Sequence, residues 1–116
     1  MIYRWETDLI SNKMTKCVIY QRTNRGDDTD SSQRQEHRCL DYCTHHHLQV
    51  TAIFHDQGVS GQVSVFKRQE FKRMYLYCLE QDVKTIVFDT ISRLSPNSLE
   101  LELGYRRLKQ DGFTLI

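Results

Sequence analysis

The stretch "CVIYQRTNRG", Cys17 to Gly26, decides how the rest of the chain is read. Its apolar residues, Cys17-Val18-Ile19-Tyr20, run on without alternation, as in a short strand buried on both faces of a helix-covered parallel sheet. A Thr-Asn pair and the turn-forming run "RGDDTDSS" follow, so the strand gives out at Arg22 and a loop begins.

Working outward from that strand, Ser32 and Gln35 have the S-x-x-Q form of a capping box, and Cys39, Leu40 and Cys43 continue at helical spacing. In "LQVTAIFHD" the residues Val50, Ala52 and Phe54 alternate with Thr51 and Ile53, which predicts a second strand with Asp56 at its C-terminal end. The glycine-containing "QGVSGQVSVFK" reads as a loop over the same edge of the sheet. Phe71, Met74, Tyr75, Cys78 and Leu79 fall at i, i+3, i+4, i+7 and i+8, the stripe of an amphipathic helix packed on a sheet. "KTIVFD" predicts a third buried strand and "ISRLSPN" a loop; Pro96-Asn97 then opens a helix carrying Leu101, Tyr105 and Leu108. "GFTLI" begins a fourth strand. Strands alternating with helices predict an α/β fold, a mostly parallel sheet of four or more strands flanked by helices. Functional residues of such sheets collect beyond the strand C-termini. Here those ends deliver Arg22-Thr23-Asn24, Asp56 and Ser92-Arg93.

The 116 residues, 39% of them hydrophobic, suffice for one domain, expected over residues 16–116 with residues 1–15 as an N-terminal extension. Sixteen Lys and Arg against fifteen Asp and Glu leave a formal charge of +1, which excludes a protein that holds DNA by bulk charge. Any nucleic-acid contact must come from a local patch. No apolar run approaches the ~20 residues that cross a bilayer, and "MIYRWETDLI" lacks the pattern of a signal peptide, so the expectation is a cytoplasmic protein without membrane contact. The four cysteines show no C-x-x-C spacing and are expected to be reduced. Cys39 and Cys43 followed by His45, His46 and His47 could be imagined around a metal. Free cysteine commonly packs as a small hydrophobe, however, and a histidine run at a helix end is usually solvated, so no metal or cofactor is expected.

"IYQRTN" after strand one, "HDQGVSG" after strand two, "KRQEF" opening the middle helix and "ISRLSPN" after strand three stand in a recognisable order. Together they resemble the N-terminal catalytic domain of the serine site-specific recombinases, the resolvase and invertase family, over Lys16 to Ile116. The resemblance implies a parallel sheet flanked by helices and a reaction in which a serine hydroxyl attacks a DNA phosphodiester and is left joined to the 5′-phosphate. It also implies DNA as partner, through its phosphate backbone, and a homo- or hetero-oligomer with a recombinase. Charge spread over the phosphoryl oxygens in the transition state calls for several arginines aimed at one phosphate.

Carried over by position, the resemblance assigns site roles to Arg22, Arg68, Arg93 and Asp56, and to Gln33 at the head of the first helix. The family's tyrosine-x-arginine-x-serine reads here Tyr20-Gln21-Arg22-Thr23-Asn24, so Asn24 stands at the nucleophile position. Its aspartate-arginine-leucine-x-arginine loop reads Ser92-Arg93-Leu94-Ser95-Pro96, without the aspartate and the second arginine. An amide has no hydroxyl to ionise and attack, so the expectation is a catalytically degenerate domain that binds DNA or an active recombinase. The alternatives are an active fragment using a displaced serine, Ser31, Ser32 or Ser60, and a protein-interaction module that no longer meets DNA. Thr23 is expected to face away from the phosphate, because successive side chains of an extended segment point to opposite sides. The plainer readings are an Arg22–Asp56 salt bridge that braces the strand ends, a solvated Arg68 and a turn carboxylate at Asp56. Family members continue into a long dimerisation helix and a DNA-binding region, neither of which is expected within these residues.

Overall fold

The computed structural model describes residues 14–27, 29–95 and 97–116. Strand β1 (Thr15–Arg22) is inaccessible from Cys17 onward because it feeds two cores at once. Val18 and Tyr20 join one cluster with Phe71, Met74, Cys78, Leu108 and Phe113. Cys17 and Ile19 join the other with Cys39, Cys43 and Val87. Successive side chains of a strand point to opposite faces, so a strand between two helical layers must be apolar at every position.

Helix α1 (Thr29–His45) covers the second cluster. Helices α2 (Gln69–Gln81) and α3 (Ser98–Gln110) cover the first. With β2 (Leu48–Asp56), β3 (Thr85–Val87) and β4 (Thr114–Leu115) they complete an all-parallel four-stranded sheet in the order β2-β1-β3-β4. The predicted α/β architecture is therefore the one observed. β1 begins at Thr15, and most of the expected N-terminal extension lies outside the described residues, as does Pro96.

Several local expectations are corrected. α1 starts at Thr29, ahead of the predicted Ser32–Gln35 cap, and Gln35 is buried and turned inward. The regular alternation of β2 is broken: Cys17 pairs with Val50 and Val18 with Ala52, so Thr51 is an extra residue on β2. Val50 consequently packs under α1, while Ala52 and Phe54 pack under α2. Leu79 and Tyr105, read as core positions from their spacing, are 45% and 42% exposed. In α3 it is Gly104 and Leu108 that are buried. Asn97 caps α3, its side-chain oxygen accepting from the N–H groups of Leu99 and Glu100.

Candidate functional site

Alternation along β1 sorts the residues at its end. Arg22 follows Tyr20 onto the α2 side and meets Arg68, which stands just before α2, and the 3-10 turn Ile91–Arg93. Arg22 is 3% exposed and Arg68 1%, and both spend their guanidinium donors largely on backbone carbonyls. Arg22 donates from Nε to the Arg93 carbonyl (3.2 Å), from Nη1 to Val59 (2.9 Å) and from Nη2 to Ser92 (3.3 Å). Arg68 donates to the carbonyls of Val63 (3.1 Å), Arg93 (3.0 Å) and Gly61 (3.4 Å), and to the Tyr20 hydroxyl (3.3 Å). Burial, then the neighbouring charges of Arg68 and Arg93, push the Arg22 guanidinium below its ordinary pKa. Arg22 and Arg68 thus meet at the Arg93 carbonyl, with carbonyl dipoles supplying much of the compensation, while the Arg93 guanidinium itself turns to Asp89.

The salt bridge considered between Arg22 and Asp56 is not how either group is used. The Asp56 carboxylate accepts from the Tyr20 hydroxyl (2.7 Å) and from the backbone N–H groups of Glu70 (2.9 Å) and Phe71 (3.1 Å). Arg68, at the N-cap position of α2, offers no side-chain cap, and Asp56 reaches across from β2 to satisfy the first turn instead. Nor is Arg68 a solvated helix residue.

Asn24 is exposed, and its Oδ1 accepts from Arg22 Nη1 at 2.6 Å. The position expected to hold a hydroxyl therefore places an amide oxygen on the guanidinium. Thr23 turns to the α1 side, where Oγ1 lies 3.0 Å from His55 Nε2 and accepts a long contact from Gly58 N–H (3.4 Å). Burial lowers the His55 pKa, which keeps the imidazole neutral at pH 7. Thr23 and Asn24 nonetheless line one cavity of about 420 Å³, together with Ser32, His55 and Gln57. Thr23 thus turns to the face opposite Arg22, as strand alternation predicts, although it borders the same cavity as Asn24.

Gln33 lies on the exposed face of α1, against the reading that put it at the site. Gln35 takes the inward place: its Oε1 accepts from Arg22 N–H (3.2 Å) and its Nε2 donates to Arg22 C=O (3.0 Å). The capping-box pattern drew attention to the same residue for a different reason. Sequence reasoning also missed Asp89, whose side chain is 1% exposed and binds Arg93 at Nε (2.9 Å) and Nη2 (3.4 Å). The signal was available: Asp89 directly follows the apolar run of β3 and stands four residues before Arg93. Cys39 and Cys43 face inward toward Cys17, whereas His45 and His46 are exposed with Nδ1 against carbonyls one turn back. Among the described residues no group of three or more His, Cys, Asp or Glu is arranged to hold a metal.

The family model for the N-terminal domain of resolvases matches residues 17–116. The chain belongs to the resolvase N-terminal domain family. Among solved structures, this resolvase-family chain is similar to the N-terminal catalytic domain of TP901-1 integrase, with a TM-score of 0.69 and 24% identity over 88% of this chain and 75% of that one. It is also similar to the C-terminal catalytic domain of ISC1926 TnpA, an IS607-like serine recombinase, with a TM-score of 0.75 and 19% identity over 87% and 68%. At these identities the two likenesses speak to the fold. No curated protein sequence matches the chain. Among the described residues of this resolvase-family domain no helix is long and apolar enough to cross a membrane.

Proposed function

We propose that this resolvase-family domain engages the phosphate backbone of DNA at the Arg22–Arg68–Arg93 cluster, and does so without cutting the strand through position 24. The observation that carries the reading is the contact between Asn24 Oδ1 and Arg22 Nη1. A guanidinium is the group that suits a phosphate, and the one at position 22 has beside it an amide that cannot act as a hydroxyl nucleophile. Arg93, whose side chain is 22% exposed, is the guanidinium an incoming phosphate meets first, since Arg22 and Arg68 are enclosed. Such a domain would act in site-specific recombination by occupying DNA or by pairing with an active recombinase.

The test is a salt titration of short duplex DNA binding followed by fluorescence anisotropy. Affinity should fall steeply with salt, and Arg93→Ala should lower it and flatten the salt slope. Arg22→Ala is informative only with circular dichroism, because Arg22 also ties three carbonyls together; Arg22→Lys keeps the charge and serves beside it. No binding at low salt, with the fold intact, would overturn the reading in favour of a module that meets proteins alone.

A second reading, a displaced hydroxyl nucleophile, is favoured by one observation: Ser32 and Thr23 share the cavity of Asn24, and Thr23 contacts a neutral imidazole. It requires a covalent protein–DNA adduct on a nicked substrate. Intact-mass analysis that finds none in the native protein, or one that persists in both Ser32→Ala and Thr23→Val, would dismiss it.

A further inference from the structure

Among the described residues, Arg93 alone of the three clustered arginines has its guanidinium on a carboxylate. Arg22 and Arg68 are held by carbonyls, an amide oxygen and a hydroxyl. The two oxygens of that carboxylate are used unequally. Asp89 Oδ1 accepts from Arg93 Nε at 2.9 Å and from the Thr90 N–H at 2.8 Å, which fixes it to the backbone. Oδ2 is held more loosely, with Arg93 Nη2 at 3.4 Å and Nη1 of Arg38, on α1, at 3.8 Å. The second distance is an ion pair but too long for a hydrogen bond. The three side chains also differ in freedom: that of Asp89 is 1% exposed, that of Arg93 22% and that of Arg38 64%.

We infer that Asp89 and Arg38 are positioning residues for the phosphate contact: Asp89 holds Arg93 back, and passes its Oδ2 to Arg38 when a phosphate takes the Arg93 guanidinium. The inference rests on the proposed engagement of DNA at the same cluster. A guanidinium grips a phosphate through two parallel N–H groups. On Arg93 the shorter bond closes Nε, which leaves Nη1 and Nη2 for the phosphate, and Nη2 must be released only from the longer contact. Oδ2 would then be a buried charge without a partner, an arrangement that is strongly destabilising. Arg38 removes that penalty, because its largely solvated side chain has to close in by about 1 Å to reach hydrogen-bond distance. Until the exchange occurs, the carboxylate cancels the charge of Arg93 and an approaching phosphate meets a neutral pair. Helix α1 thereby acts on the site through Arg38, which itself need not touch the DNA.

The exchange is tested first without DNA, by urea denaturation. Arg38→Gln should change the unfolding constant little while Arg93 serves Asp89, and about threefold more in Arg93→Ala, where Arg38 is the partner left. Anisotropy of a short DNA duplex supplies the second arm, with circular dichroism confirming that each variant is folded. Asp89→Asn keeps an oxygen for the Thr90 N–H and frees the charge of Arg93, so affinity should rise about tenfold and the salt slope steepen by about one phosphate contact. Adding Arg93→Ala should remove that gain. Arg38→Gln should weaken binding about threefold in the otherwise native protein and leave it unchanged in Asp89→Asn, where no carboxylate remains to be passed on. Equal effects of Arg38→Gln on stability in both backgrounds would overturn the inference. So would a gain that survives Arg93→Ala, or an Arg38 effect that persists in Asp89→Asn, the mark of an arginine lying on the DNA itself. A native protein that binds no DNA at low salt would instead overturn the DNA reading, and this use of Asp89 with it, whatever the denaturation arm shows.

Discussion

Asp56 shows how a single residue can satisfy two readings of the sequence at once. It sits at a strand end among site residues, yet its carboxylate caps α2 and holds the buried Tyr20 hydroxyl. Asp56→Ala removes a helix cap and leaves the Tyr20 hydroxyl without that acceptor, so it should cost about 2–4 kcal/mol, read from urea denaturation at constant m-value. His55 makes a second prediction, with a defined sign. Burial depresses its folded pKa below the ~6.5 of the unfolded chain. Below that pH the unfolded state binds more protons, so stability present above ~6.5 is lost as pH falls through the folded value. Denaturation midpoints at pH 7 and pH 5 should show the loss, and His55→Gln should reduce it. Gln35 marks the limit of reading at this scale. The resemblance placed a site glutamine at the head of α1, but which of two lies inward depends on where the helix begins, and the loop before it gave no boundary.

At the scale of elements, strands were the more legible because their burial leaves a continuous apolar signature, clearest in β1. The bulge at Thr51 was invisible, since a β-branched residue suits either register and only pairing with β1 reveals the extra position. Helix spacing identified α2 and α3 but over-extended their buried stripes to Leu79 and Tyr105, which a short, four-stranded sheet is too narrow to cover. The packing of α1 on β1 yields a prediction of its own. Cys17 and Cys43 lie with sulfurs 3.8 Å apart, and Cys39 is buried in the same cluster. Burial pushes the thiols of Cys17 and Cys39 up to about 12, and that of Cys78 in the opposite core to about 11. An aromatic disulfide reagent should therefore label these thiols in the native protein far more slowly than in denaturant. The unfolded chain ionises its thiols from ~8.5, so the stability present below that pH is lost as pH rises toward the folded values.

For the molecule as a whole, the alternation of strands and helices made the fold readable, and parallel topology gathered the site residues at one end of the sheet. What escaped was how the arginines are used. A sequence shows charge but not carbonyls, and most acceptors of Arg22 and Arg68 are backbone oxygens from the loop after β2 and the turn after β3. Those bonds join positions as far apart as 71 residues along the chain. These side-chain bonds are expected to form after β1 and β3 have paired, because that pairing is what brings the two loops together. Arg68→Met keeps a long apolar stem and deletes the donors, so a stopped-flow chevron should show faster unfolding and a nearly unchanged folding limb. The arginines that resemble a reaction centre would then also govern how long the native molecule persists once formed, acting as a barrier to opening and contributing little to the speed of assembly.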